Sequence, residues 1–324
     1  MWNSTGVQFR TQMGYTTKLA ENLYMFDLFE QGQPGRSAAY VYHGVKKVLI
    51  ETGSALSHPY ILRALDELGI QTNELDYVVL THIHLDHAGG AGSLAQVSKN
   101  ATFVVHPRAA RHLIDPTKLI AGARAVYGEQ LEQFFGEILP VPKDQVLIRE
   151  DGETLDFGDR IVTFYDTPGH AKHHFSLYDP VLRAIFSGDA LGIRYVHRFT
   201  GWPFEFILPS TSPSDFDPIA VEMTVNKLRT LDAKTVFHTH FGPSPAQEAL
   251  RDTLEGAKRF ARMADRLYHR GITWEELQVG LEAEIQSLLI DMGHSEEFNV
   301  KELGIDLELD AKGLLYYEDM KHAR

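Results

Sequence analysis

Apolar positions change period several times along the chain, and each change marks an element. Ala20–Phe29, Ser37–His43 and Lys47–Glu51 read as strands, with Gln31-Gly32-Gln33-Pro34-Gly35 as a turn. Pro59–Leu68 switches to helical spacing through Ile61, Leu62, Leu65 and Leu68, and Gly69 ends it. Tyr77–Leu80 and Thr102–Val105 are again strand-like, with a helix at Ser93–Val97 between them. Arg108 to Phe135 reads mostly helical with a break at Pro116. Val146–Ile148, Glu153–Phe157 and Arg160–Tyr165 follow as strands. Pro218–Leu231 is a helix that Asp215 and Asp217 precede as capping residues. After Gly242-Pro243-Ser244-Pro245 the alternation stops. Ala246–Tyr268 and Thr273–Leu289 are amphipathic helices, and Asn299–Met320 is acidic and then apolar. Periodicity alone gives a mixed α/β unit over residues 1–245 and a helical extension over 246–324. The extension either packs on the first unit or forms a subunit interface, which leaves a homodimer open.

Composition narrows the function classes. No run approaches the roughly 18 apolar residues of a membrane helix, so no membrane partner is expected. Met1–Gly6 lacks the basic and apolar stretches of a signal segment, and the expected location is cytoplasmic. The absence of cysteine removes disulfides, thiolate ligands and a thiol nucleophile. A net charge of −13 without a long basic run argues against nucleic acid as a partner. A small molecule is the expected partner.

The chemistry concentrates in Thr81-His82-Ile83-His84-Leu85-Asp86-His87-Ala88-Gly89-Gly90, directly after the apolar Tyr77–Leu80 run. Neutral imidazole is the commonest metal-binding side chain, and mixed N and O donors suit zinc and similar divalent ions. His82 and His84, two apart on an extended segment, point to one side. Further donors follow strand-like runs beside Gly or Pro: His170 in Thr167-Pro168-Gly169-His170, Asp189 in Ser187-Gly188-Asp189, and His238 and His240 in His238-Thr239-His240-Phe241-Gly242.

In this H-x-H-x-D-H element and the later His, Asp and His, the chain resembles metallo-β-lactamase-superfamily hydrolases over roughly residues 18–245. The resemblance implies an αββα sandwich with metals at one edge, and two divalent ions, zinc first and iron or manganese as alternatives. It implies one site of His82, His84 and His170, a second of Asp86, His87 and His240, and Asp189 bridging them. His240 is preferred to His238 because it stands at the strand end before a turn. Glu51 and His174 would then orient ligands or line the pocket.

A metal pair can generate a hydroxide nucleophile at neutral pH, so hydrolysis needs no Ser, Cys or Lys; Asp86 would orient the nucleophile or pass a proton. The glyoxalase II and lactonase branch fits best. The chain nevertheless lacks the Lys-x-x-Asn-Pro-Phe signature of the former, and has Gly192 where many of the latter have Tyr, with Tyr195 as a substitute. The expected activity is cleavage of an ester, lactone or thioester. An iron-dependent oxidoreductase or dioxygenase on the same scaffold and a phosphodiesterase are the alternatives. The aromatic run at 191–213, which includes Tyr195 and Trp202, should overhang the metals. Arg194 and Arg198 within it can receive an anion.

Overall fold

A computed structural model describes residues 14–294 and 298–323. Met1–Gly6, on which the expectation about a signal segment rests, lies outside the described residues.

The first sheet has seven strands in sequential order: β1 (Thr17–Ala20), β2 (Leu23–Asp27), β3 (Ala38–His43), β4 (Lys47–Ile50), β5 (Tyr77–Val79), β6 (Thr102–Val105) and β7 (Val146–Ile148). The second contains β8 (Thr154–Asp156), β9 (Ile161–Asp166), β10 (Phe175–Asp179) and β11 (Ala184–Gly188). After a separate hairpin, β12 (Ile193–Tyr195) and β13 (Phe206–Leu208), it is completed by β14 (Thr235–His238) and β15 (Gly242–Pro245), in the order β15-β14-β11-β10-β9-β8. The helices are α1 (His58–Glu67), α2 (Leu85–Ala88), α3 (Ala91–Val97), α4 (Pro107–Ile114), α5 (Thr117–Tyr127), α6 (Leu131–Phe135), α7 (His197–Thr200), α8 (Pro218–Arg229), α9 (Ala246–Leu267), α10 (Trp274–Asp291) and α11 (Ile305–His322).

Strand alternation builds the layers. Val48 and Ile50 face the second sheet, where they join Tyr40, Phe164, Phe175 and Phe186 in a core between the sheets. Leu49, between them, faces the other way and packs with Ile61, Leu65, Leu94 and Leu113 of α1, α3 and α4. On the far side of the second sheet, Ile185 and Val236 pack with Leu228, Phe260, Leu281 and Leu314 from α8 to α11. The result is the αββα sandwich, and residues of α9–α11 share a core with the second sheet.

Local signals explain the helix starts. Asp217 caps α8, accepting from the N–H groups of Ile219 and Ala220 at 2.9 and 3.2 Å. Asp215 is not part of that cap; it bonds Lys172 Nζ at 2.9 Å. Thr273 and Glu276 form a reciprocal capping box on α10. No helix among the described residues is long and apolar enough to cross a membrane.

Parallel pairing positions the site. β4 runs parallel to β5, and β11 to β14, so within each sheet these strands finish together. Glu51, the histidine motif, Asp189 and His240 all lie just beyond those ends.

Candidate metal centre

Two clusters of ligand-type atoms meet where the sheets end. In the first, His82, His84 and His170 converge, with His84 Nδ1 2.9 Å from His170 Nε2. In the second, Asp86, His87 and His240 converge: His87 Nε2 and His240 Nε2 lie 3.2 Å apart, and Asp86 Oδ2 is 3.4 Å from His240 Nε2. Asp189 divides its carboxylate between them. Oδ1 lies 3.2 Å from His87 Nε2 and 3.5 Å from His240 Nε2, while Oδ2 lies 3.6 Å from His170 Nε2.

The opposite ring nitrogens are tied back. His170 Nδ1 donates to the Ser210 carbonyl at 3.1 Å, and His240 Nδ1 to the Arg36 carbonyl at 2.9 Å, with Ser37 Oγ at 3.0 Å. Glu51 Oε1 accepts from the Thr81 N–H, and its Oε2 lies 3.3 Å from His87 Nδ1 as a charge contact in which neither atom makes a hydrogen bond. Thr81 Oγ1 lies 3.1 Å from His82 Nδ1. Each tether leaves one nitrogen turned inward. His82 Nε2 and Asp189 Oδ1 are buried there without a hydrogen-bond partner, which is costly unless a ligand meets them. Four donors held about 2.0–2.1 Å from a tetrahedral ion stand about 3.3 Å apart, and the separations here bracket that value. The residues fit a pair of divalent ions.

Charge distribution differs between the clusters. Burial, with the neighbouring imidazoles, holds His82 and His84 well below the usual histidine range, so their lone pairs are free. Burial works against protonation of His87 too, but the Asp189, Asp86 and Glu51 carboxylates override it and hold that ring well above the usual range. The three carboxylates thus favour positive charge at this position, which a divalent ion on Nε2 would supply in place of the proton. Asp189 stays ionised against the cost of burial because His87, His240 and His170 surround it.

His174 is fully enclosed; its Nε2 accepts the Asp189 N–H at 3.2 Å and its Nδ1 meets Thr167 Oγ1 at 2.8 Å, so it steadies the Asp189 backbone and does not line a pocket. That packing requires Gly188, whose φ is +50° and where a Cβ would lie 2.5 Å from both His174 Nε2 and Thr81 Oγ1. His238 lies apart from the clusters, its ring bonded to the Gly192 carbonyl and Ser244 Oγ, and burial lowers its pKa to about 3.

A cavity of about 490 Å³ opens over the clusters. Its floor includes His84, Asp86, His170, Asp189 and His240. One wall is α5 (Leu119, Ala123, Val126, Tyr127) and the other includes Ile193, Phe199 and Leu309. Two of the aromatics expected there are elsewhere. Tyr195 and Trp202 are buried in the core against α9–α11, with Tyr195 Oη donating to Asp306 and Trp202 Nε1 to Glu302. Tyr195 pairs with Phe206 across the β12–β13 hairpin and stacks on it within that core, and Trp202, in the loop between the two strands, stacks on the same ring. Arg194 does line the cavity, already bonded to Glu205 and to the Phe241 carbonyl. Arg198 lies outside it, 3.4 Å from Asp27. Sequence reasoning missed Tyr127, Arg36, Ser210, Asp306 and Asp310, all of which line the cavity. It also missed His173, which lines the cavity beside His84 although nothing in the sequence pattern assigns it a role.

A model of the metallo-beta-lactamase superfamily matches residues 32–240. A metallo-beta-lactamase fold-containing protein of Sulfurisphaera tokodaii is 32% identical over 189 residues, 56% of this chain and 67% of that one. The N-acyl homoserine lactonase AttM of Azorhizobium caulinodans is 30% identical over 180 residues, 55% of this chain and 61% of that one. In both cases the match spans about two thirds of the relative or less. The solved structure of a metallo-beta-lactamase family protein from Thermus thermophilus superposes with a TM-score of 0.64 at 20% identity, covering 94% of this chain and 96% of that one; this likeness is one of fold.

Proposed function

We propose that this chain, which belongs to the metallo-β-lactamase superfamily, is a two-metal hydrolase that cleaves an ester, lactone or thioester of a small molecule of low charge. The observation that carries the reading is Asp189, whose two carboxylate oxygens address separate imidazole clusters on the floor of a largely apolar cavity.

His82 Nε2, His84 Nδ1 and His170 Nε2 would hold one divalent ion, and Asp86, His87 Nε2 and His240 Nε2 the other, with Asp189 shared. Zinc is the first choice for this N/O donor set. Bound there, such ions supply Lewis acidity and lower the pKa of coordinated water toward about 7. The protein's own groups supply orientation and proton handling. The Ser210 and Arg36 carbonyls fix the His170 and His240 rings, and the Glu51 carboxylate lies against His87 Nδ1. Asp86 is about a third exposed (31%) and lies on the cavity floor, which makes it the carboxylate placed to orient the nucleophile or a proton beside the substrate. Substrate shape is set by the gap between α5 and the wall of Ile193, Phe199 and Leu309.

Low substrate charge is supported by the two arginines that line the cavity, since Arg36 and Arg194 are already paired with Asp306 and Glu205. Lys118 of α5, also on the lining, has no ion-pair partner among the described residues and is the one cation there free to meet an anion. The lactone arm of the reading gains support from the named activity of the Azorhizobium relative. We expect a small-molecule substrate only, with neither nucleic acid nor membrane as partner.

The test is a panel of neutral esters, lactones and thioesters, matched carboxylated esters and phosphodiesters, assayed on protein with its metal content measured. Turnover concentrated among the neutral acyl substrates, with two zinc-like equivalents bound, is the expected result. A redox-active iron pair without acyl hydrolysis, or phosphodiesters turned over faster than any acyl compound, overturns the reading.

A further inference from the structure

The structure assigns Asp306 and Asp310, one helical turn apart on α11, as positioning residues for the metal centre: Asp306 holds His240 through Arg36, and Asp310 holds His170 through the Ser210–Thr211 segment. The helical extension is thereby a working part of the site. This inference rests on the two-metal reading above.

Three observations carry it. Residues four apart on a helix share a face, and both aspartates are buried, at 7% and 5% exposure, on the face of α11 turned to the cavity. Asp306 Oδ1 is 2.5 Å from the Arg36 guanidinium, and its Oδ2 accepts from Tyr195 Oη at 3.1 Å. The carbonyl of that same Arg36 takes the His240 Nδ1 proton at 2.9 Å. Asp310 Oδ1 accepts from both the Thr211 N–H (2.7 Å) and Thr211 Oγ1 (2.9 Å). The preceding Ser210 gives its carbonyl to His170 Nδ1 and its hydroxyl to Asp189 Oδ2 at 3.3 Å.

The third observation is the docking of α11 itself. At Gly313 the helix approaches the same segment so closely that a Cβ would lie 2.2 Å from the Thr211 carbonyl oxygen and 2.5 Å from that of Ser212. One helix therefore grips the tether of one imidazole from each cluster. Groups that orient metal-bound histidines typically change metal affinity about 10- to 100-fold when removed; here the orienting groups are backbone carbonyls, and the aspartates fix where those carbonyls stand.

The experiment uses the full chain loaded with zinc, and follows release of each equivalent to a chromogenic chelator without substrate. His170→Ala and His240→Ala identify which phase belongs to which site. Asp306→Asn should speed the His240 phase about tenfold or more, and Asp310→Ala the His170 phase by a similar factor. Arg259→Ala breaks contacts to Glu284 and Asp291 within the extension only and should change neither phase. If an aspartate variant does not fold, Tyr195→Phe and Thr211→Val, which remove the hydroxyls that bond Asp306 and Asp310, report on the same two links, each in the same phase. Wild-type release in the aspartate variants, or equal acceleration of both phases by all variants including Arg259→Ala, overturns the proposal. Wild-type protein that never holds two equivalents instead refutes the two-metal reading.

Discussion

Glu30 offers a quantitative test of how the site's charge is embedded. It follows β2, is 1% exposed, and uses Oε2 to accept from the Ser54 N–H and Ser57 Oγ, each at 3.1 Å, while Oε1 has no partner. Burial, and secondarily the charge of Asp86, push its pKa from 4.5 up to about 7. The folded protein thus keeps a proton that the unfolded chain releases near 4.5. Between these two values the native state binds more protons than the unfolded state, so stability falls as pH rises and levels off above about 7. A gap from 4.5 to about 7, at about 1.4 kcal/mol per pH unit, amounts to about 3 kcal/mol. Glu30→Gln removes this titration and keeps the shape. Any constant cost of the amide is independent of pH and drops out of the comparison. Denaturant unfolding of both proteins, with chelator present, should show wild type losing about 3 kcal/mol relative to the variant between pH 4.5 and 8. A wild-type-minus-variant difference that stays flat with pH, or that rises with it, refutes the argument.

Four further outcomes are expected. Asp189→Ala should lower bound metal from two equivalents to one or none and abolish turnover in a protein whose circular dichroism is unchanged, as metal analysis of the purified variant would reveal. Glu51→Gln should weaken metal retention at the His87 site about 10- to 100-fold, read by chelator competition. On the cavity wall, Ala123→Trp should raise KM for bulky acyl substrates well above its effect on a small acetate ester. Trp202→Ala should leave that substrate ratio unchanged while costing about 3–5 kcal/mol of stability, because the indole is core and not wall.

The placement of His82, His84, Asp86 and His87 was readable because they are sequence neighbours at the end of one strand, where a short turn fixes their relative directions. His170, Asp189 and His240 were readable for a related reason: each follows an apolar strand and sits beside Gly or Pro. The aromatic run failed as a guide to the wall. Closeness to Asp189 along the chain says nothing about which way a side chain turns, and Tyr195 and Trp202 turn into the core against α9–α11. Tyr127 was hidden because α5 reaches the cavity only through tertiary packing. Arg36, Ser210, Asp306 and Asp310 were hidden more deeply. Arg36 and Ser210 hold ligand rings through main-chain carbonyls, and a carbonyl carries no residue-type signal. The two aspartates, for their part, resemble any acidic helix surface until the helix is docked.

The Arg36–Asp306 pair joins residues 270 positions apart. During synthesis Asp306 therefore reaches the ribosome exit after both sheets and every ligand of both clusters have been made. Before α11 is made, the backbone on either side of Arg36 can already be held, through the Gly35 N–H on Asp27 and the Ser37 carbonyl on the Leu28 N–H, but the Arg36 side chain has no Asp306 to meet. The Arg36 guanidinium thus gains its carboxylate partner only when α11 has been made and has docked, in the same event that completes the core on the outer face of the second sheet.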